Sequence, residues 1–313
     1  MNYLLCILAS FAASLVFMAV LLPLLRKLKA GQYILSYVKE HASKGGTPTM
    51  GGLSFISAII IVTLCFCGVG DNRINLTLAI TAGFAIVGFL DDFLKIYRRE
   101  NEGLKPYQKI IFQLSIAVIA AVYCYVNGIT ALKIPFGGGL EWDIGWGIIP
   151  LVLFVFLATV NCVNLTDGLD GLAGGTSAAY LAFLGIMLAP LWSNGAAAAG
   201  ASVGALAAFL IFNCSKASVF MGDTGSLALG GLISCLSVFS GNTLYIPVLG
   251  IMFVLSGISV IIQVIYYKRT KRRVFLMAPI HHHFQMKGYT ESKISYTYFV
   301  ITSLVGIICL IFM

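Results

Sequence analysis

The sequence predicts an all-α, polytopic membrane helix bundle of about ten transmembrane helices, on three observations. Of 313 residues, 59% are hydrophobic and only 10% charged, whereas a soluble domain carries about 25% charged residues. The apolar residues run together for about 20 positions at a time instead of alternating, which argues against both a soluble helical protein and a membrane barrel. Lysine and arginine concentrate in every second connection, the bias that orients membrane chains.

The expected spans are 3–25, 49–69, 74–90, 110–127, 146–163, 175–192, 196–213, 225–240, 244–267 and 295–313. No Lys or Arg precedes the first run, so it reads as a retained span and not as a cleaved signal peptide. Residues 1–313 read as one integral membrane domain. All Lys and Arg except Arg73 and Lys133 lie in, or at helix ends bordering, the loops 26–48, 91–109, 164–174, 214–224 and 268–294. The positive-inside rule makes these loops cytoplasmic and puts both termini outside. The net charge of +8 is then a topology signal, with attraction to membrane lipid, and calls for no nucleic acid. The eight cysteines sit in or beside apolar runs without zinc-site spacing and read as small packing residues. The small residues of 195–204 suit close helix packing.

The acids carry the chemistry. Asp91, Asp92, Asp167, Asp170 and Asp223 all press against helix ends on the inner side. One such aspartate is most often a cap; five on one side, inside glycine- and amide-rich motifs, indicate a functional site. In Gly88-Phe-Leu-Asp91-Asp92-Phe-Leu-Lys95 two neighbouring carboxylates repel unless a cation is close, and Lys95 follows one turn after Asp91. One of the pair can bind a metal while the other acts as base. Asn164, Asp167 and Asp170 recur every third residue and would form one stripe if helical. Gly168 and Gly171 would let a ligand approach the backbone. In Phe220-Met-Gly222-Asp223-Thr224-Gly225-Ser226, after Asn213, a Gly-Asp opening a helix suits diphosphate, with Asp223 offered to Mg²⁺. His281, His282 and His283 cannot all face one metal from a regular helix; as loop neighbours they can donate to phosphate or act as general acid. The basic run 268–273 before them reads first as anchoring, and Val274–Met277 as resting on the membrane. Lys44 and Thr49 belong to a glycine-rich turn in loop 26–48 that could bind phosphate.

These motifs together resemble the polyprenyl-phosphate N-acetylhexosamine-1-phosphate transferase superfamily, over essentially the whole chain. The paired aspartates, Asn164-x-x-Asp167-Gly-x-Asp170-Gly and Met221-Gly-Asp223-Thr-Gly-Ser226 are shared across it; Ala278-Pro-Ile-His281-His-His-Phe-Gln-x-Lys-Gly288 is similar to the bacterial phospho-N-acetylmuramoyl-pentapeptide-transferase branch. The resemblance implies transfer of phospho-MurNAc-pentapeptide from UDP-MurNAc-pentapeptide to undecaprenyl phosphate, giving lipid I and UMP, with Mg²⁺ as cofactor, at the cytoplasmic face of a bacterial inner membrane. It implies Asp223 as metal ligand and Asp91 and Asp92 as the catalytic pair, Asp91 the favoured base. Lys44, Thr49, Lys95, Asn164, Asp167 and His282 would surround the nucleotide sugar. Gly168, Leu169, Asp170 and Phe220 would form the uridine pocket, Phe220 stacking on uracil. His281, His283, Asn213 and Gln263 match further motif positions. A homodimer and binding of uridine-nucleoside inhibitors are also implied.

Two other readings compete. A UDP-GlcNAc:polyprenyl-phosphate transferase would share the metal, lipid and uridine contacts, but the histidine motif argues against it. A transporter would fit intramembrane acids, but its site belongs at the bilayer midplane and these acids map to one edge.

Overall fold

The structure, a computed structural model, describes residues 2–28, 46–98, 100 and 102–313. It is an all-α bundle: α1 (Asn2–Lys27), α2 (Gly52–Cys67), α3 (Asn72–Arg98), α4 (Pro106–Val126), α5 (Ile148–Thr166), α6 (Leu172–Leu188), α7 (Ser193–Asn213), α8 (Gly222–Phe239), α9 (Tyr245–Leu249), α10 (Ile251–Thr270), α11 (Ile280–Met286) and α12 (Glu291–Ile311). Eight of these, α1, α3, α4, α5, α7, α8, α10 and α12, are long and apolar enough to cross a membrane. The other two expected spans, α2 and α6, are apolar helices of 16 and 17 residues.

α8 is the axis. Every residue from Thr224 to Phe239 is buried, as expected of a helix that is apolar all round. Glycines bring its neighbours close. A Cβ on Gly88 of α3 would overlap the Asp223 carbonyl and lie 2.5 Å from Thr224 N; one on Gly230 of α8 would lie 2.5 Å from Val160 Cα of α5. Small residues of this kind drive helix packing in lipid, where apolar side chains gain nothing by leaving the bilayer. The small-residue run at 195–204 does the same for α7 against α1, with Gly200 against Tyr3 and Gly204 against Ile7.

The structure departs from the sequence expectation in several places. The expected ninth span, 244–267, is broken at Gly250 into α9 and α10. Glycine is a poor helix former, and a Cβ there would meet Ile246 O at 2.7 Å and the Phe253 ring at 3.3 Å. α3 continues eight residues beyond 90, to Arg98, so the paired aspartates are helical and not in a loop. α5 ends at Thr166; Asn164, Asp167 and Asp170 therefore do not form one helical stripe. The histidine loop contains a short helix, α11. The connection 128–145 folds into a hairpin of β1 (Ala131–Lys133) and β2 (Glu141–Asp143). Lys44 lies outside the described residues.

Candidate active site

The carboxylates meet where α3, α4, α5 and α8 converge. Asp91 and Lys95, one turn apart on α3, form an ion pair of 2.6 Å. Lys109, in the first turn of α4, reaches Asp91 Oδ1 at 3.2 Å and Asp223 Oδ2 at 2.5 Å. Lys95 also lies 3.2 Å from Asp223 Oδ2. Asn164, near the end of α5, donates through Nδ2 to Asp223 Oδ1 and Ser226 Oγ, both at 2.8 Å. Leu104 N donates to Asp91 Oδ1 at 2.8 Å.

Asp92 points to the start of α8. Its Oδ1 accepts from Asp223 N at 3.2 Å, and its Oδ2 from Thr224 N at 3.0 Å and Thr224 Oγ1 at 2.7 Å. The first N–H groups of a helix have no intrahelical partner, and a carboxylate there meets both those donors and the positive end of the dipole. Gly222, just before Asp223, has φ +74°, a conformation natural to glycine. A Cβ on it would lie 2.5 Å from Asp92 Oδ2 and 2.7 Å from Oγ1 of the buried Thr49.

One oxygen from each of Asp91, Asp92 and Asp223 falls within 4.8 Å of the others, and two ammonium groups offset their charge. Hard oxygen donors in this number could hold a divalent cation such as Mg²⁺. Asp167, in the turn after α5, is half-buried. Its pKa is pushed from the ordinary 3.8 up to about 8 by burial, then by the negative charges of Asp223, Asp92 and Asp170. The negative charge of the cluster therefore reaches it.

A second group of side chains adjoins that turn. A Cβ on Gly168 would collide with the His281 ring and lie 3.0 Å from His282 Nε2, so the rings of both histidines rest on the Gly168 backbone. His281 is fully buried, and neither ring nitrogen has a hydrogen-bond partner among the described residues. Burial and His282 push its pKa from 6.5 down to about 3. His282 Nδ1 lies 3.0 Å from Gln285 Oε1, and Gln285 reaches Glu291 Oε1 at 3.4 Å. Glu291 Oε2 accepts from Asp170 N at 3.1 Å. Asp170 is held further by Ala217 N on Oδ2 and by Ser295 Oγ on its carbonyl, each at 2.9 Å. Asn213 Oδ1 accepts from Gly171 N at 3.0 Å, while Asn213 Nδ2 donates to Val219 O at 2.9 Å. Leu169 is buried with Leu172, Met252, Ile294 and Tyr298. Phe220 is half-buried, its N donating to Pro48 O at 2.8 Å and its O accepting from Gly51 N at 2.9 Å.

Thus Asp91, Asp92, Lys95, Asn164 and Asp223 come together directly, with Thr49 beside Gly222 and Asp167 in the turn just after Asn164. His281, His282, Gly168 and Asp170 join them through the turn. Gln263 and His283 have other described partners. Gln263 binds the backbone of Val274 and Phe275 at 2.9–3.3 Å, and His283 Nδ1 accepts from Leu276 N at 3.1 Å. Sequence reasoning missed Lys109, Thr224, Gln285 and Glu291. Lys109 had a signal: a cation in a helix's first turn opposes the dipole and calls for an anionic partner.

The site and bundle define a membrane transferase of carboxylate and lysine chemistry. Residues 74–241 match the family model described as Glycosyl transferase family 4. The chain is 41% identical over 312 residues to the phospho-N-acetylmuramoyl-pentapeptide-transferase of Bacillus subtilis (strain 168), covering 96% of this chain and 95% of the relative. It is 42% identical to that of Clostridioides difficile (strain 630), covering 97% and 95%, and 43% identical to that of Clostridium perfringens (strain 13 / Type A), covering 95% and 94%. The chain belongs to glycosyl transferase family 4 and, within it, to the phospho-N-acetylmuramoyl-pentapeptide-transferases.

Proposed function

We propose that this chain transfers phospho-MurNAc-pentapeptide from UDP-MurNAc-pentapeptide to undecaprenyl phosphate, yielding lipid I and UMP, at the cytoplasmic face of the bacterial inner membrane. The observation that carries this reading is the meeting of Asp91, Asp92 and Asp223 with Lys95 and Lys109 at one end of membrane-spanning helices. Phosphoryl transfer needs positioning and charge neutralisation more than covalent chemistry from the protein.

Asp223, with Asp91 beside it, would hold Mg²⁺; the oxygen-only donor set fits that ion. Bound there, Mg²⁺ supplies neutralisation of phosphate charge. Lys95 and Lys109 add two fixed cations for the diphosphate oxygens. Asp91 is the group to orient the undecaprenyl phosphate and hold its proton. An oxygen of that phosphate attacks the β-phosphorus of the UDP-sugar, the bond to the bridging oxygen breaks, and UMP leaves with the electron pair. Because a lipid phosphate is already largely ionised near neutral pH, one direct displacement suffices and no aspartyl-phosphate is needed. Asp92 holds the start of α8, and so the Asp223 backbone, in place. Gly168, Leu169, Asp170 and Phe220 form the uridine side, with Asn213 bracing the turn and His281 and His282 beside it; Lys44 and Thr49 belong to the nucleotide-sugar contacts. A homodimer and competition by uridine-nucleoside inhibitors follow from the same reading.

The test is donor choice. In detergent with undecaprenyl phosphate and Mg²⁺, the purified protein should form a lipid-linked product from UDP-MurNAc-pentapeptide and not from UDP-GlcNAc. Product from UDP-GlcNAc alone would move the chain to the GlcNAc-1-phosphate transferases.

A further inference from the structure

The end of the bundle away from the carboxylates carries a two-faced hairpin. α5 and α8 each have one end at the carboxylate cluster; the hairpin lies at their other ends. It leads into α5, and Lys133 N donates to Gly241 O, just past α8, at 2.9 Å. β1 and β2 are antiparallel, with Leu132 opposite Trp142 and Lys133 opposite Glu141; Ile134 N continues the ladder to Leu140 O at 3.0 Å. Alternation therefore sorts the side chains. Leu132, Ile134, Leu140 and Trp142 share one face; Ala131, Lys133, Glu141 and Asp143 share the other.

Of the four residues on the apolar face only Leu132 is covered by the protein, and Ile134 is 37% exposed. Leu132 is buried, while Leu140 and Trp142 are 63% and 62% exposed. The hairpin is not loose: besides the bond to Gly241, Phe136 meets the Phe312 ring edge-on at 6.4 Å. Trp146, 73% exposed, follows directly and lies at the start of the span Gly145–Thr166. Trp146, Pro150 and Phe154 are exposed at a spacing of four, one continuous stripe on a helix. The exposed apolar residues of the hairpin are thus followed in sequence, four residues after Trp142, by the exposed apolar stripe of α5. Tryptophan collects where spans leave the hydrocarbon, and an element apolar on one face and charged on the other lies flat in that layer.

We infer that this hairpin lies in the headgroup–acyl boundary of the bilayer, with Leu140, Trp142 and Trp146 inserted among phospholipids and Lys133, Glu141 and Asp143 turned to water. The occupant of the exposed apolar face is phospholipid. The hairpin then moors the ends of α5 and α8 opposite the reaction site.

Tryptophan fluorescence tests this, because the chain has three tryptophans and the third, Trp192, is buried with Nε1 donating to Asp71 Oδ2 at 2.7 Å. The full chain is placed in phosphatidylcholine–phosphatidylglycerol nanodiscs, which leave both faces open to solvent. Lipids brominated near the headgroup end of the acyl chain should quench most of the emission, lipids brominated near the methyl end should quench less, and iodide should quench little. The Trp142→Phe/Trp146→Phe variant should lose most of the shallow quenching and keep its helical circular dichroism. Strong iodide quenching with no bromine quenching in the unaltered protein overturns the inference, and that comparison needs no variant. Undiminished shallow quenching in a folded double variant overturns it as well.

Discussion

Asp92 on α3 accepts two hydrogen bonds from Thr224 on α8, one from the backbone N at 3.0 Å and one from Oγ1 at 2.7 Å. One carboxylate of the acidic pair is thereby occupied in capping the start of α8, while Asp91 beside it pairs with both lysines. The two adjacent aspartates divide into one that caps α8 and one, equally buried, that pairs with the lysines.

Asp92→Ala should lower the thermal midpoint in detergent and also activity. Loss of a cap costs about 1 kcal/mol, and leaving the Thr224 donors buried without a partner costs about 1–3 kcal/mol more. Thr224→Val should cost less. The double variant should fall short of the sum of the two, since both remove the same bonds; full additivity would dissociate Asp92 from the cap.

Lys109→Gln should affect rate and metal dependence in opposite senses. Removing a cation between Asp91 and Asp223 leaves the cluster more negative, so the Mg²⁺ concentration for half-maximal activity should fall. Turnover should drop roughly 100-fold, as for other fixed charge stabilisers. Titrating Mg²⁺ against initial rate measures both.

Gly88→Ala should prevent stable folding or lower the midpoint sharply, because its Cβ would meet backbone of Asp223 and Thr224, which cannot swing aside. Overpacking of this kind costs about 1–3 kcal/mol or more. Gly175→Ala in α6 is the control: nothing lies within 4 Å of its Cβ, and alanine gains up to about 1 kcal/mol in a helix.

His281 sets a pH dependence of stability. Its pKa is about 3 in the folded chain against the ordinary 6.5, so between those values the unfolded chain binds a proton that the folded chain does not. The stability of the neutral buried ring is complete above 6.5 and is lost as the pH falls towards 3, at up to about 1.4 kcal/mol per pH unit. His281→Leu should flatten the fall of the thermal midpoint between pH 6.5 and lower values.

Much of this was legible beforehand because it rests on local rules. The all-α membrane bundle followed from apolar runs, although eight of the described helices and not ten are long and apolar enough to span, and the Asp91–Lys95 pair followed from a spacing of four. The helix opening at Gly222-Asp223 followed from residue types that favour helix starts. The partners of those residues were not legible. Lys109 and Asn164 meet Asp223 across 114 and 59 residues of sequence, and only the packing of α4 and α5 against α8 sets which side chains converge. The break at Gly250 and the helical histidine motif escaped for the opposite reason: a single glycine and a seven-residue helix are too short for periodicity to register.

Gln285 and Glu291 belong to that illegible part. Gln285→Ala frees the His282 ring from its 3.0 Å partner. At about 1 kcal/mol for one hydrogen bond, KM for the UDP-linked donor should rise about fivefold with kcat less affected. Steady-state kinetics at saturating undecaprenyl phosphate separates the two.

If the Asp91–Asp92–Asp223 cluster performs metal-dependent phospho-sugar transfer, its activity should depend on both the metal and Asp223. The most direct measurement is UMP release by the purified protein with UDP-MurNAc-pentapeptide, undecaprenyl phosphate and Mg²⁺, alongside Asp223→Ala of unchanged circular dichroism. Release should stop on chelation and be lost in the variant. Release that persists in folded Asp223→Ala, or without divalent metal, would contradict that role of the cluster.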